Sequence, residues 1–255
     1  MVIIKIQGGL GNQMFQYAYG RNLSNKYNTE FILDSRFYDY QDKREFSLNK
    51  FPNTILNTKL SVNGQIHTIV DDFNYRELPN TIGFNYYLDG YWQSEKFFNE
   101  SADLIRDDFK PSEETISKLI KTPLVDTNTV SLHIRRTDYV TSNGYHPVQS
   151  MEYYKNAIDS IGDYDNIFIF SDDLNWCKEN LNFKNMIFID GFTDIEDLHL
   201  MSMCKHNIIA NSSFSWWGAW LNTNLDKKVI APSNWFGEQA NLNTSDIIPD
   251  SWIKI

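Results

Sequence analysis

Two adjacent arginines are the most chemically suggestive residues of this acidic chain. The 255 residues include 33 Asp and Glu against 23 Lys and Arg, which gives a formal net charge of −10. Arg135 and Arg136 nevertheless follow directly after the apolar run 129–134. Two guanidinium groups at a strand end can hold phosphate oxygens through paired hydrogen bonds, and Asp138 could orient one of them. The block from His133 to Asp138 thus predicts a phosphate site, with a surface ion pair as the alternative.

A second polar turn follows the predicted strand 207–210. Asn211, Ser212 and Ser213 supply hydroxyl groups and backbone N–H groups where the next helix is expected to begin. A helix start of this kind binds anions readily. The same residues could equally serve as an ordinary helix N-cap, and the two interpretations are compatible.

The glycine-rich run 8–11 separates a short apolar strand, 2–6, from a predicted helix. With Asp34 after the next strand, it invites a dinucleotide-binding interpretation and hence an NAD-dependent oxidoreductase. That fingerprint requires a glycine where Met14 stands. The safer prediction is a tight turn that lets a ligand approach the backbone.

Other motifs favour packing over chemistry. The Asp-x-Asp pattern at 163–165 precedes a predicted strand instead of following one, and the five histidines lack metal-ligand spacing. We therefore expect neither a metal nor a cofactor. Three tryptophans lie on a predicted helix and are more typical of a core than of a sugar platform: Trp216, Trp217 and Trp220.

Composition limits the class of protein. Hydrophobic residues make up 42% of the chain, so a folded core is expected, and the acidic balance argues against binding to nucleic acid. Cys177 and Cys204 form no disulfide framework. No signal peptide and no apolar run of membrane-spanning length is visible. These features predict a cytoplasmic protein.

Strands alternate with helices along most of the chain, which predicts parallel sheets covered on both faces. Strands are expected at 2–6, 30–33, within 86–93, and at 129–134, 166–170, 186–189, 207–210 and 228–231. Helices are expected at 13–26, 95–109, 112–121, 151–161, 174–181, 194–204 and 214–221. Since ligands of such sheets bind beyond the carboxyl ends of the strands, the polar turns above should share one edge.

Three segments together resemble bacterial α-1,2-fucosyltransferases of glycosyltransferase family 11. They are Gly8 to Tyr17, His133 to Asp138, and Asn211 to Gly218. The middle segment is also similar to α-1,6- and protein O-fucosyltransferases. The resemblance implies an α/β, GT-B-like fold of two Rossmann-type domains with parallel sheets. Residues 1–115 would form an acceptor-side domain and residues 116–255 the domain that binds GDP-fucose.

The resemblance also implies roles for single residues. Arg135 and Arg136 would hold the pyrophosphate of the donor. His133 and Asp197 would contact the guanosine side, and Asn12 would face the fucose. Further donor-side residues are expected at Ser212, Ser213, Asn211, Gly11, Gln13 and Asp172.

The general base cannot be carried over from the resemblance. The α-1,6 enzymes have a Glu in the loop after the arginine pair, and Asn143 stands at that place here. Asp138 is a candidate base by proximity alone.

The implied reaction is metal-independent, inverting transfer of L-fucose from GDP-β-L-fucose to O2 of a terminal galactose, which gives an α-1,2 linkage. The alternatives are a fucosyltransferase of other linkage, an NAD-dependent oxidoreductase, and a protein that binds the sugar nucleotide without catalysis. The expected partners are the sugar nucleotide and a galactoside acceptor. Cell-surface polysaccharide synthesis is the expected setting, such as O-antigen side chains. In this setting the protein could associate peripherally with the inner membrane.

Overall fold

Buried apolar strands form two separate parallel sheets, one in each of two units of the chain. The computed structural model describes residues 1–78, 83, 85–121, 128–142 and 144–255. Unit 1 comprises residues 1–112 and 242–249, and unit 2 comprises residues 113–241 and 250–255. The sequence-based division at 115–116 gives two continuous halves, whereas the segment 242–249 belongs to unit 1.

In the described part of unit 1, four parallel strands form a sheet in the order β2-β1-β4-β3. They are β1 (Val2–Lys5), β2 (Phe31–Asp34), β3 (Ile66–Val70) and β4 (Asn85–Asp89). The helices are α1 (Leu10–Tyr27) and α2 (Ala102–Asp108).

Helix α1 packs closely on the sheet of unit 1 because Gly20 has no side chain. A Cβ atom at Gly20 would lie 3.2 Å from both Ile4 Cγ2 and Phe31 Cδ2, which is a tight contact. One turn earlier, the Tyr17 ring lies 5.7 Å from the Phe31 ring and 5.3 Å from the Phe109 ring, measured between centroids. Aromatic packing of this kind supplies much of the buried apolar area of the unit.

In the described part of unit 2, six parallel strands form a sheet in the order β10-β9-β8-β5-β6-β7. The strands are β5 (Thr129–Ile134), β6 (Asn166–Ser171), β7 (Met186–Phe188), β8 (His206–Ile208), β9 (Val229–Ala231) and β10 (Ile253–Lys254). The helices are α3 (Glu113–Leu119), α4 (Thr137–Val140), α5 (Met151–Ile161), α6 (Leu174–Asn180), α7 (Asp194–Met203) and α8 (Ser213–Leu221). Numbered within the unit, the strand order is 3-2-1-4-5-6, that of a dinucleotide-binding Rossmann sheet.

Helices cover both faces of the sheet in unit 2. One core cluster joins Leu132 and Ile169 to residues of α5 and α6, such as Tyr154 and Cys177. The other joins Phe168 and Phe170 to residues of α3 and α7, and α8 packs against α7. The prediction of parallel sheets with helices on both faces is confirmed for this unit.

One predicted helix differs from the observed elements, and some observed elements were not predicted. The predicted helix 95–109 is two 3-10 turns, Glu95–Phe97 and Asn99–Ser101, followed by α2. Ser94 caps the first of these turns by accepting the Lys96 N–H. Strands β3 and β10 were not predicted, because one is largely exposed and the other has two residues.

Candidate active site

The arginine pair lies where the strand order of unit 2 reverses. Arg135 and Arg136 follow β5, and β5 is flanked by β6 on one side and by β8 on the other. The chain leaves β5 toward β6, while β8 begins the second half of the sheet. In open α/β sheets the crevice at this switch point, beyond the carboxyl ends of the strands, is the ligand site. The topology therefore supports the expectation that these residues meet a ligand.

Carboxylates fix the position of Arg135. Its Nε lies 2.9 Å and its Nη2 2.8 Å from Asp138 Oδ1, and its Nε lies 3.2 Å from Asp172 Oδ2. The guanidinium also lies 5.6 Å from the centroid of the Tyr139 ring. Asp138 thus holds Arg135 in place, which is the orienting function expected of it.

Arg136 is held by an aromatic ring and a second carboxylate. Its guanidinium carbon lies 3.8 Å from the centroid of the Trp176 ring, and its Nε donates to Asp173 Oδ2 at 3.4 Å. Asp173 is itself the N-cap of α6, since its Oδ1 accepts the Trp176 N–H at 3.1 Å. The contact of Trp176 with Arg136 was not predicted, because the sequence does not show which side chain a single tryptophan on a short helix will contact.

Asp172 joins the ends of two neighbouring strands. Its Oδ1 accepts the Arg136 backbone N–H at 2.9 Å, and its Oδ2 accepts the Thr137 N–H at 3.2 Å and the Thr137 hydroxyl. These bonds hold the backbone of the arginine turn and the start of α4. Asp172 was expected among the donor-side residues, and its contacts make it a positioning residue for the arginines.

His133 is a buried, neutral imidazole next to the arginine pair. Only 5% of the residue is exposed, and Nδ1 has no hydrogen-bond partner among the described residues. Burial, together with the Arg135 cation, lowers the pKa of His133 to about 3. The ring contacts Phe214 of α8 at 5.9 Å between centroids. A buried polar atom without a partner is costly and marks a place where a ligand could bind.

Asp197 is a second buried acceptor without a partner. It lies in the first turn of α7, which follows β7 and therefore starts at the same edge of the sheet as the arginine pair. Its Oδ1 has no hydrogen-bond partner in the described part of the chain. Burial, with the nearby carboxylates of Glu196, Asp194 and Asp190, raises the pKa of Asp197 to about 7.

The helix start at α8 can accept an anion. Ser212 is the N-cap residue of α8, yet its hydroxyl makes no capping hydrogen bond within the described chain. Ser213 begins the helix and is partly exposed. The hydroxyl of Ser212 and the N–H groups of the first turn are therefore placed as an anion site would require.

Unlike the serines beside it, Asn211 is buried with its side-chain amide hydrogen-bonded to other protein groups. Its Nδ2 donates to the carbonyls of Pro147 and Trp235, at 3.1 and 2.9 Å, and its Oδ1 accepts from Gln149 at 3.0 Å. Only 2% of the residue is exposed. The Tyr139 hydroxyl also donates to its carbonyl at 2.9 Å. The amide of Asn211 thus anchors the loop that presents the serines.

In unit 1, buried amides shape the glycine turn. Gln13 is fully buried; its Nε2 donates to the carbonyls of Gly8 and Glu45, at 3.2 and 2.8 Å, and its Oε1 accepts the Ser47 N–H at 2.8 Å. Gln13 therefore supports the turn from within. The turn gives residue 8 a positive φ of 82°, which favours glycine, and a Cβ atom at this position would lie only 2.8 Å from Asn12 Nδ2.

Asn12 is the partly exposed member of this turn. Its Oδ1 accepts a hydrogen bond from Gln93 Nε2 at 2.8 Å. Gln93 was not selected as a site residue from the sequence, because it belongs to no motif. The bond sets the orientation of the Asn12 amide. Gly11 is buried in the first turn of α1.

Asp34, on which the NAD interpretation depends, already accepts hydrogen bonds from other side chains of the protein. Asp34 Oδ1 accepts from Arg36 Nε at 2.7 Å, and its Oδ2 accepts from Arg36 Nη2 at 2.6 Å and from the Tyr87 hydroxyl at 2.8 Å. The Arg36 guanidinium accordingly lowers the pKa of the Asp34 carboxyl. A ribose hydroxyl would have to displace these bonds, which disfavours the oxidoreductase alternative.

Other sequence expectations concern packing and boundaries. Trp216, Trp217 and Trp220 are buried against one another and against Trp252, so they belong to the core. Asn143 lies outside the described residues. Within the described ranges, each helix is too short or too polar to cross a bilayer.

Comparison with known proteins relates the whole chain to one family. Residues 1–255 match the family model Glycosyl transferase family 11. An α-1,2-colitosyltransferase of Escherichia coli is 36% identical over 293 residues, which cover 100% of this chain and 99% of the relative. The O-antigen biosynthesis glycosyltransferase WbnK of Escherichia coli is 33% identical over 301 residues, with coverage of 98% and 99%.

Solved structures share the fold at low sequence identity. The NodZ α-1,6-fucosyltransferase soaked with GDP-fucose has a TM-score of 0.57 at 12% identity, with 86% of this chain and 91% of that chain covered. A mutant of FUT1 from Arabidopsis thaliana in complex with GDP has a TM-score of 0.52 at 10% identity, with 99% and 75% covered. The predicted α/β, GT-B-like fold is thereby confirmed.

Proposed function

The chain belongs to glycosyltransferase family 11, and on that basis we propose that it transfers L-fucose from GDP-β-L-fucose to O2 of a terminal galactose with inversion. The observation that carries this proposal is the arginine pair at the switch point of unit 2. At the same sheet edge, His133 Nδ1 and Asp197 Oδ1 are buried and have no hydrogen-bond partner among the residues that the structure describes. Phosphate and nucleobase groups of a nucleoside diphosphate would supply partners for such atoms.

Unit 2 is proposed to bind the donor nucleotide. Asp197 would accept the two N–H groups on the Watson–Crick edge of guanine, and His133 would contact the guanosine side. A carboxylate accepts both N–H groups at once, whereas adenine offers no such pair at the corresponding positions. Ser212, Ser213 and the start of α8 would add donors to the phosphates.

The arginines are proposed to stabilise the leaving group. As the bond from the fucosyl carbon to the phosphate oxygen breaks, negative charge grows on the β-phosphate. Arg135 and Arg136 are held by carboxylates and by Trp176 before the substrate binds, so little reorganisation is needed when this charge appears. Preorganised groups aimed at developing charge are usually the largest catalytic contribution.

The acceptor hydroxyl is proposed to attack the opposite face of the sugar. Asp138 is engaged by Arg135 at 2.8 Å, which favours an orienting role over that of general base. We therefore assign the hydroxyl proton to the departing phosphate oxygen. Asn12, oriented by Gln93, is proposed to contact the fucose.

The activities of related proteins support the proposed donor and linkage. One relative is an α-1,2-colitosyltransferase, and one structural neighbour was soaked with GDP-fucose. Colitose is fucose without the 3-hydroxyl group, so GDP-colitose is the second candidate donor. Both donors share the nucleotide and the proposed leaving-group chemistry.

Incubation of the protein with GDP-fucose or GDP-colitose and a panel of β-galactosides tests the reaction. We expect GDP release that depends on the galactoside, and NMR of the product should show an α-1,2 linkage. Another linkage would restrict the proposal to fucosyl transfer in general. Absence of transfer from either donor to every acceptor would overturn it.

The role of Arg136 has its own test. Arg136→Ala should lower the turnover number by roughly 10² to 10³, the usual cost of losing a group that stabilises developing charge. The matched control is Arg76→Ala, which removes an exposed arginine from unit 1. Near-normal turnover in Arg136→Ala would remove the arginine from the mechanism.

A further inference from the structure

Unit 1 carries an open groove with the features of a saccharide site. Its volume is about 230 Å³, below the range of about 300 to 1,000 Å³ for sites that enclose a drug-sized ligand, so it could hold only a small part of a glycan. The residues that line it are Lys5, Asp34, Arg36, Phe37, Tyr40 and Tyr87. Lys5 and Asp34 end strands β1 and β2, and the hydroxyl of Tyr87, the central residue of β4, reaches Asp34, so the groove lies at the carboxyl edge of the sheet.

Two aromatic rings give the groove an apolar surface. Tyr40 is 86% exposed and Phe37 is 36% exposed, and both lie on the 3-10 turn Arg36–Tyr40. The Tyr40 ring is left almost wholly in water and so adds little to the core, whereas Phe37 is largely covered and packs edge-on against the Tyr38 ring, with 5.1 Å between centroids. Tyrosine combines a flat apolar face with a polar tip, which suits the mixed surface of a hexose ring.

The polar groups of the groove are held in fixed orientations. Asp34, 5% exposed, binds Arg36 through two parallel hydrogen bonds and also accepts from the Tyr87 hydroxyl. The Arg36 side chain remains 60% exposed. A guanidinium has five N–H donors, and Asp34 engages Nε and Nη2. Arg36 can therefore offer oriented donors to sugar hydroxyls in the groove.

The charge balance of the groove favours a neutral ligand. Lys5 pairs with Asp89, with 2.9 Å between Nζ and Oδ1, and Arg36 pairs with Asp34. Each cation thus has its own carboxylate. A carboxylated sugar would have to break one of these pairs, whereas hydroxyl groups could bind without disturbing them.

The groove is tied to the turn that holds Asn12. The Tyr38 hydroxyl, from the same 3-10 turn as Tyr40, donates to the Gly8 carbonyl at 2.9 Å. Gly8 in turn packs against the Asn12 side chain. The 3-10 turn that lines the groove therefore also supports the turn of the residue proposed to contact the fucose.

We propose that this groove binds the neutral galactoside acceptor, with the sugar stacked on Tyr40 and its hydroxyl groups bound by Arg36. The inference rests on the proposed function for the reaction itself. It adds the residues that select the acceptor, and it predicts that they act on acceptor binding and not on binding of the nucleotide.

Tyr40 variants test the stacking contact. Tyr40→Ala should raise the KM for lactose, used as the β-galactoside, by about five- to tenfold, as expected for a lost ring contact. Tyr40→Phe keeps the ring and should restore a KM within about twofold of the original. The dissociation constant for GDP should be the same in all three proteins. Leu225→Ala, which truncates a fully exposed residue of unit 2, is the control.

A binding measurement without donor separates this inference from the proposed function. Saturation-transfer NMR should show methyl β-galactoside bound to the protein and a weaker signal with Tyr40→Ala. If Tyr40→Ala transfers the sugar with an unchanged KM for lactose, the groove does not bind the acceptor, but the proposed reaction still holds. Galactoside binding that depends on Tyr40, without any transfer, would support the groove and overturn the reaction.

Binding of a carboxylated sugar tests the prediction that the groove prefers a neutral ligand. Methyl β-galacturonide should bind no more tightly than methyl β-galactoside, because each cation of the groove is already paired. Tighter binding of the galacturonide by tenfold or more would show an anion site and overturn the assignment of a neutral acceptor.

Discussion

Asp172, just beyond the end of β6, accepts the backbone N–H of Arg136, just beyond the end of β5, with 2.9 Å between Oδ1 and N. The same carboxylate accepts from Thr137 and lies 3.2 Å from Arg135 Nε. One side chain thus determines both the backbone of the arginine turn and the direction of the first guanidinium.

Asp172→Asn should lower kcat/KM by about 10²-fold, because small displacements of catalytic groups have costs of this size. The amide loses the negative charge and one of the two acceptor atoms. The free energy of unfolding should fall by about 1 to 3 kcal/mol, which urea denaturation can measure. Asp163→Asn, an exposed residue at the opposite edge of the sheet, should change neither value. An unaltered kcat/KM in Asp172→Asn would argue against its positioning role.

Trp176→Leu should weaken GDP binding by about three- to thirtyfold, the range expected for loss of a partly buried cation–π contact of about 0.5 to 2 kcal/mol. The Arg136 guanidinium lies 3.8 Å from the ring centroid and would lose this support. Isothermal titration with GDP measures the effect. Trp252→Leu removes a tryptophan from the core and serves as a control for general destabilisation. Equal GDP affinity in Trp176→Leu and the parent protein would contradict the prediction.

GDP binding should weaken as the pH falls through about 7. Burial and three nearby carboxylates raise the pKa of Asp197 to about 7, and the protonated acid cannot accept both guanine N–H groups. The dissociation constant should therefore rise about tenfold from pH 8 to pH 6. Asp197→Asn should bind GDP weakly with little change over this range. Parallel pH profiles for the two proteins would exclude Asp197 as the titrating group.

The raised pKa of Asp197 also has a consequence for stability without ligand. A carboxyl whose folded pKa exceeds its unfolded value binds protons preferentially in the folded state. The contribution of Asp197 to the free energy of unfolding is therefore present at low pH and is lost as the pH rises from about 4 to about 7. Asp197→Asn should remove this dependence from the unfolding free energy, and an unchanged dependence would assign it to other groups.

Asn211→Ala should destabilise the protein by roughly 2 to 4 kcal/mol, because a side chain that is almost fully buried loses three hydrogen bonds to its neighbours. Urea denaturation measures this change, and Asn156→Ala on the exposed face of α5 is the control. GDP binding by the folded fraction should fall only through disorder of the Ser212 loop. A variant with full stability and lost GDP affinity would instead place the Asn211 amide on the nucleotide.

Sequence patterns predicted the elements of unit 2 well because its central strands are buried on both faces. Strands of that kind are continuous apolar runs, as in 129–134 and 166–170. Strand β3 was missed because it is the edge strand of its sheet. Its terminal residues Ile66 and Val70 are 42% and 61% exposed, so no buried apolar face marks it.

The candidate site was predictable where its residues follow strands directly. Arg135, Arg136 and the serines of α8 were selected on this ground and lie at one sheet edge. Side-chain contacts across strands were not predictable, because they depend on register. Asp172 reaches Arg136 since Ile134 pairs with Ser171 in neighbouring strands, which a single sequence does not reveal.

Amide side chains show the same limit. Gln13 and Asn211 lie in polar motifs and were expected to bind the donor. Their hydrogen bonds to backbone groups make them supports of the loops, a role that the motifs did not predict. Composition and spacing are the same in either case, so the distinction required coordinates.

The path of the chain has a consequence for biosynthesis. Strand β10 adds to the edge of the unit 2 sheet beside β9, but residues 242–249, which belong to unit 1, separate the two strands in sequence. A ribosome-bound chain that ends at residue 241 would therefore expose β9 as an unpaired edge, a surface prone to aberrant pairing. Completion of the unit 2 sheet must wait until residue 254 has emerged from the ribosome, so unit 2 cannot finish folding before that point.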